Sequence, residues 1–194
     1  MALDPARRDR ILRTATGLFS AYGYRGTSMD ALAQEAGVAK PTLYAYYADK
    51  DAVFTAVVET VLDRVLEDAH RAATTDGPLE ERLTEMLASK FTRIFELVHS
   101  SPHASELLSS SQADAQGAAA RADASFRALL GSTVAAAARA GELDLARART
   151  TRPAFVEALL QCGYGADALA TSPADHRERL RRQVRLMLVG AQSR

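Results

Sequence analysis

TSMDALAQEAGVAKPTLYAYYADK, residues 27–50, reads as two short helices joined by a tight turn and followed by the entry to a third. Thr27 and Asp30 stand three apart, the spacing of a capping box that satisfies backbone N–H groups of a first helical turn. Met29, Leu32, Ala33 and Ala36 recur at helical spacing and give the first helix one apolar face. Gly37 ends it, because glycine enters the left-handed conformation of a sharp turn at little steric cost. Val38 plugs the turn, and Pro41 sits just inside the next helix, where its missing N–H does no harm.

That second helix runs from about Lys40 to Tyr46. Leu43 and Tyr47 are four apart and can face a core; Lys40, Thr42, Tyr44 and Tyr46 are left for the outside. Lysine and hydroxyl donors suit phosphate oxygens and base edges, so the layout is that of a helix-turn-helix DNA reader. Three of the six tyrosines in the chain fall within four residues beside this lysine.

The set Thr27, Leu32, Ala33, Ala36, Gly37, Val38, Ala39, Leu43, Tyr44, Tyr46, Tyr47, Lys50 and Val53 resembles the DNA-binding segment of the tetracycline-repressor (TetR) family of bacterial transcriptional regulators. With the preceding helix the resemblance covers roughly residues 5–55. It implies an all-α protein: a three-helix head over residues 1–50 and a larger helical ligand-sensing and dimerisation body over 51–194. It also implies a homodimer on a pseudo-palindromic operator, most simply a repressor, released by a small-molecule effector. Thr27, Tyr46 and Lys50 are then expected at phosphates, and Lys40, Thr42 and Tyr44 at bases. Two positions depart from the common pattern: Ala39 stands where serine is frequent, and Ala45 offers only a methyl group.

Upstream, Asp4 and Pro5 mark a helix start. Ile11, Leu12, Ala15, Leu18, Phe19 and Tyr22 form the apolar stripe of an amphipathic helix that ends at Gly23 and Gly26. Downstream, Asp49 caps a helix whose wide apolar surface runs from Val53 to Leu66, a mechanical link between head and body. ATTDGP (73–78) breaks the chain before a stripe from Leu79 to Val98. Pro102 ends that helix, a short one is plausible over 103–110, and SSSQADAQG reads as a loop or a weak helix start. An alanine-rich helix follows over 118–140, with Gly141 as its stop. Pro153 opens a helix with Phe155, Val156, Leu159, Leu160, Gly163, Ala166 and Leu169 on one side, and a last helix carries Leu180, Val184, Met187 and Leu188.

By the resemblance, the last two helices carry the dimer face, with Leu159, Leu160, Leu180, Val184, Met187 and Leu188 as candidates; the same residues can face their own core, and the two readings are not exclusive. Phe91, Phe95, Phe126 and Tyr164 are candidates for an apolar ligand pocket, though aromatic residues at helical spacing are more often plain core.

The 194 residues carry no formal net charge, 47% are hydrophobic, and the first 50 hold seven basic against five acidic residues. Local placement of charge matters more than the sum. Cys162 is the sole cysteine, so no internal disulfide forms. No apolar run approaches the length of a membrane span, and a cytoplasmic location without membrane contact is expected. His99 and His103 have the spacing of two metal ligands on one face, but Pro102 between them favours surface histidines at a bend. No nucleophile, acid–base pair or Gly-rich phosphate loop is legible, so no catalytic residue, metal or cofactor is expected. The alternative is a helical small-molecule-binding protein or enzyme that keeps the head as a structural module.

Overall fold

The structure, a computed structural model, describes residues 4–100, 103 and 113–191. Among these it is all-α, with eight helices: α1 (Pro5–Gly26), α2 (Met29–Glu35), α3 (Lys40–Tyr46), α4 (Lys50–Thr74), α5 (Leu79–Ser100), α6 (Ala113–Arg139), α7 (Arg152–Asp167) and α8 (Pro173–Val189). The helix expected over 103–110 lies outside the described residues, except for His103 in a turn. The chain divides into two compact units, Met1–Asp63 with Leu97–Arg121, and Arg64–Glu96 with Ala122–Arg194. The division falls inside α4 rather than at residue 50, because Val53, Phe54, Ala56 and Val57 belong to the core of the first unit.

In the first unit, Asp4 caps α1 by accepting from the Ala6 N–H at 3.0 Å. Ile11, Leu12, Ala15 and Phe19 are buried, as their spacing predicts. Tyr22 is not: it is 62% exposed. Gly23, at φ 73° and ψ 170°, turns the chain. Tyr24, beyond the turn, then takes the place beside Phe19 and Phe54, at centroid distances of 6.1 and 5.2 Å.

The cap of α2 also differs from the expected capping box. Ser28, not Thr27, accepts from the Ala31 N–H, at 3.1 Å. Thr27 is buried, and its hydroxyl donates to the Gly23 carbonyl at 2.8 Å and the Leu18 carbonyl at 3.3 Å. The turn after α2 closes as the sequence requires. Gly37 has φ 61°, and the Val38 N–H reaches the Ala33 carbonyl at 3.0 Å. Ala39 precedes α3 without a side-chain cap. Leu43 and Tyr47 are buried and set the roll of α3. Asp49 caps α4 through the Ala52 N–H at 2.8 Å.

The second unit has its own core. Leu83, Met86, Leu87 and Phe91 of α5 meet Phe126, Leu130 and Val134 of α6, together with Leu159 of α7 and Leu180 and Val184 of α8. Helix α6 starts at Ala113, earlier than the alanine run alone suggests, and stops where Gly141 adopts φ 77°. Thr151 and Ser172 cap α7 and α8 through the Ala154 and Asp175 N–H groups. Gly163 leaves room for the Phe91 ring, into which a Cβ at this position would project. His176 is fully buried, its Nδ1 2.9 Å from the Thr92 hydroxyl. No helix among the described residues is long and apolar enough to cross a membrane.

Candidate nucleic-acid interface

Burial of Leu43 and Tyr47 leaves Lys40, Tyr44 and Ala45 exposed and Thr42 half-buried. Tyr44 keeps 44% of its surface open, a large flat ring on a polar face. Lys40 does not stand alone. Its Nζ lies 2.6 Å from the Asp30 carboxylate, and this hydrogen-bonded partner raises the lysine pKa further.

The other three expected contact residues bond within the protein. Tyr46 clasps the start of α1: its hydroxyl accepts from the Asp4 N–H at 2.9 Å and donates to the Asp4 carbonyl at 3.2 Å. Lys50 donates to the Tyr24 carbonyl at 2.8 Å and the Thr27 carbonyl at 2.9 Å, and lies 4.2 Å from the Tyr24 ring centroid. Thr27 is occupied as described. The expectation that these three hold phosphate therefore meets side chains already committed within the protein, above all the buried hydroxyl of Thr27. Cationic surface comes instead from α1, where Arg7, Arg8, Arg10, Arg13 and Arg25 are exposed. Asp30 and Asp4 escaped the sequence reading as partners of α3, because neither stands at helical spacing from the residue it meets.

In the body, Phe91, Phe95 and Phe126 are buried core rings, while Tyr164 is 61% exposed. Phe91 meets Tyr164 edge-on at 5.0 Å, and Phe95 packs on His176 at 5.2 Å. The Lys90 Nζ lies 5.3 and 5.1 Å from the Phe91 and Phe126 centroids. None of the four lines an open cleft of about 380 Å³ bounded by Asp68, Arg71, Ala72, Thr75, Glu85, Ser89 and Arg177. Charged side chains in its lining pair with one another: Arg71 with Asp68 at 2.8 Å, and Arg177 with Glu85 at 3.2 Å.

Among the dimer candidates, Leu159, Leu160, Leu180, Val184 and Leu188 are buried in the core of the second unit. Met187 is half-buried, its Sδ 3.4 Å from Cys162 Sγ. The outward apolar groups are Tyr164, Leu169, Leu186 and Val189, each exposed by 61–69%. Leu169 thus leaves the stripe that the sequence assigned to it. Burial raises the Cys162 thiol pKa, which disfavours the reactive thiolate. No group of three potential metal-ligating His, Cys, Asp or Glu side chains occurs among the described residues.

An all-helical chain with a helix-turn-helix head and a separate helical unit is the class that fold and site define. Residues 11–57 match "Bacterial regulatory proteins, tetR family". Over these residues the chain is similar to the TetR family. The HTH-type transcriptional regulator YhgD of Bacillus subtilis is 32% identical over 87 residues, 45% of this chain and 44% of that protein. The match thus spans less than half the length of this relative. Likeness in fold extends further. A TetR/AcrR-family regulator from Thermobifida fusca superposes with a TM-score of 0.72 at 24% identity, covering 94% of this chain and 97% of that one. FadR from Bacillus subtilis, in complex with stearoyl-CoA, superposes with a TM-score of 0.60 at 16% identity, covering 94% and 98%.

Proposed function

We propose that this protein is a DNA-binding transcriptional regulator, not an enzyme: a ligand-responsive homodimeric repressor of a pseudo-palindromic operator. The single observation that carries the reading is the Lys40–Thr42–Tyr44 face of α3, with Lys40 and Tyr44 exposed and Thr42 half-buried, held outward by buried Leu43 and Tyr47 inside a family-matching segment. Lys40, Thr42 and Tyr44 meet base edges in the major groove, and the Ala45 methyl suits a thymine methyl. Exposed arginines of α1 supply attraction to phosphate. Thr27, Tyr46 and Lys50 hold the reader in register.

Two copies join through outward apolar groups, Tyr164, Leu186 and Val189 on the last two helices and Leu169 between them, and so place two α3 helices on one duplex. The effector is a small molecule, a role supported by the acyl-CoA complex of the FadR structure. It releases DNA only by binding more tightly to a state whose readers are wrongly spaced. An effector that touches Phe91, Phe95 or Phe126 must open packed core to do so.

Selection of bound sequences from a random duplex library tests the reading. Enrichment of a palindrome that is lost in Lys40→Ala/Tyr44→Ala, with the circular dichroism spectrum unchanged, is the expected result. Weak, steeply salt-dependent binding without enrichment would reduce the head to phosphate attraction and overturn it. Sedimentation of a Leu186→Glu/Val189→Glu variant as a monomer, against a dimeric parent, tests the interface.

A further inference from the structure

Charge along the reader is sparse. Between Ser28 and Ala48 the only formally charged residues are Asp30, Glu35 and Lys40, so this stretch carries one more negative than positive charge. Its one cation opens α3 and is paired across the turn with Asp30, at 2.6 Å. Both side chains remain well solvated, at 54% and 69% exposure. Ion pairs so exposed contribute little to folding. The consequence of the pair falls instead on what Lys40 can bind.

We propose that Asp30 is a specificity-determining residue, which discounts phosphate-only binding by Lys40 and holds its ammonium for a base edge. The inference rests on the DNA-binding reading above. An ammonium has three donors. One can stay with Asp30 while the others meet two acceptors on a single base, such as O6 and N7 of guanine. A phosphate contact is different. It either pulls Lys40 away from Asp30, leaving a carboxylate beside phosphates, or brings that carboxylate to the backbone with the lysine. Either way the like charges oppose non-specific binding, which depends on phosphate neutralisation alone. Asp30 therefore weakens binding to random duplex more than binding to the selected site.

The experiment compares the full-length wild type with Asp30→Asn, a near-isosteric change, on the selected operator and on random duplex across a salt series. Asp30→Asn should tighten random-duplex binding about two- to five-fold at low salt. Its plot of log affinity against log salt should be steeper by about 0.9, and the operator-to-random ratio should fall. In a Lys40→Ala background the same substitution should lose most of this effect. An unchanged ratio overturns the proposal, as does an unchanged salt slope or an effect that persists undiminished without Lys40. Loss of operator affinity without any gain on random duplex would also overturn it, since Asp30 would then be a structural support. A wild type that binds no DNA sinks the functional reading as well; one that selects a palindrome while Asp30→Asn keeps the same ratio sinks only the role of Asp30.

Discussion

The head and the body are each held together internally, by different kinds of contact. In the head, α2 and α3 have seven residues each, too few to be stable as isolated helices. Polar side chains tie the head's helices to backbone groups far away in sequence: Lys50 of α4 to Tyr24 and Thr27, Tyr46 of α3 to Asp4. Each such bond needs a particular side chain at a particular position. In the body the helices run to 16 residues or more and meet through broad aliphatic faces. Their long-range polar contacts include surface ion pairs such as Arg185–Glu80 and Arg177–Glu85. Aliphatic packing accepts many residue combinations of similar volume. This accounts for a family match that lies within the head beside a likeness in fold that covers nearly the whole chain.

The most severe test of that contrast is Phe54→Ala. Loss of this fully buried ring should cost about 3–5 kcal/mol, and hydrogen exchange should rise in α1–α3 well before α7 and α8. Equal loss of protection throughout would show that the two units do not differ in stability. Gly163→Ala is the matching test in the body. The new methyl group collides with the Phe91 ring, for an expected loss of about 1–3 kcal/mol, and Phe91→Leu should recover part of it. If Gly163→Ala melts like the parent, the close approach is not a constraint.

Lys50→Met should cost the head about 1–3 kcal/mol, because two carbonyls lose their charged donor. Operator affinity should fall with it, even at temperatures where the variant is fully folded. Normal affinity in a folded Lys50→Met protein would mean that the clasp does not position the reader. Leu186→Glu should change subunit stability by no more than about 0.5 kcal/mol, while Leu159→Ala one helix away costs about 2–5 kcal/mol. Chemical denaturation of both under monomeric conditions checks the division of the last two helices into outward and inward faces.

The smallest effect is expected at Tyr47. Its hydroxyl is buried, and burial raises its pKa against the opposing pull of Arg8. A raised folded pKa means that the native state holds the proton more tightly. This contribution is complete below the unfolded value near about 10 and is lost as pH rises through the folded one. Thermal melts of the wild type should therefore decline more steeply above about pH 10 than those of Tyr47→Phe. At neutral pH the two should differ by less than about 1 kcal/mol. Parallel pH profiles would show that the phenol is not shielded.

Much of this was legible in one dimension. Local rules settled the all-helical class, the ends of α1 and α3, the stops at Gly37 and Gly141, and the burial of Leu43 and Tyr47. Caps, positive-φ glycines and apolar period act over a few residues, so a short window of sequence contains their causes. The tertiary structure decided everything that depends on which distant groups meet. It turned Thr27, Tyr46 and Lys50 inward to carbonyl and amide partners and set Asp30 against Lys40. It replaced Tyr22 with Tyr24 in the aromatic cluster and sent Leu159 inward but Leu186 outward. Helical period shows that a stripe is apolar; it does not say whether that stripe meets its own core or another surface, because burial depends on neighbours brought in from elsewhere in the chain.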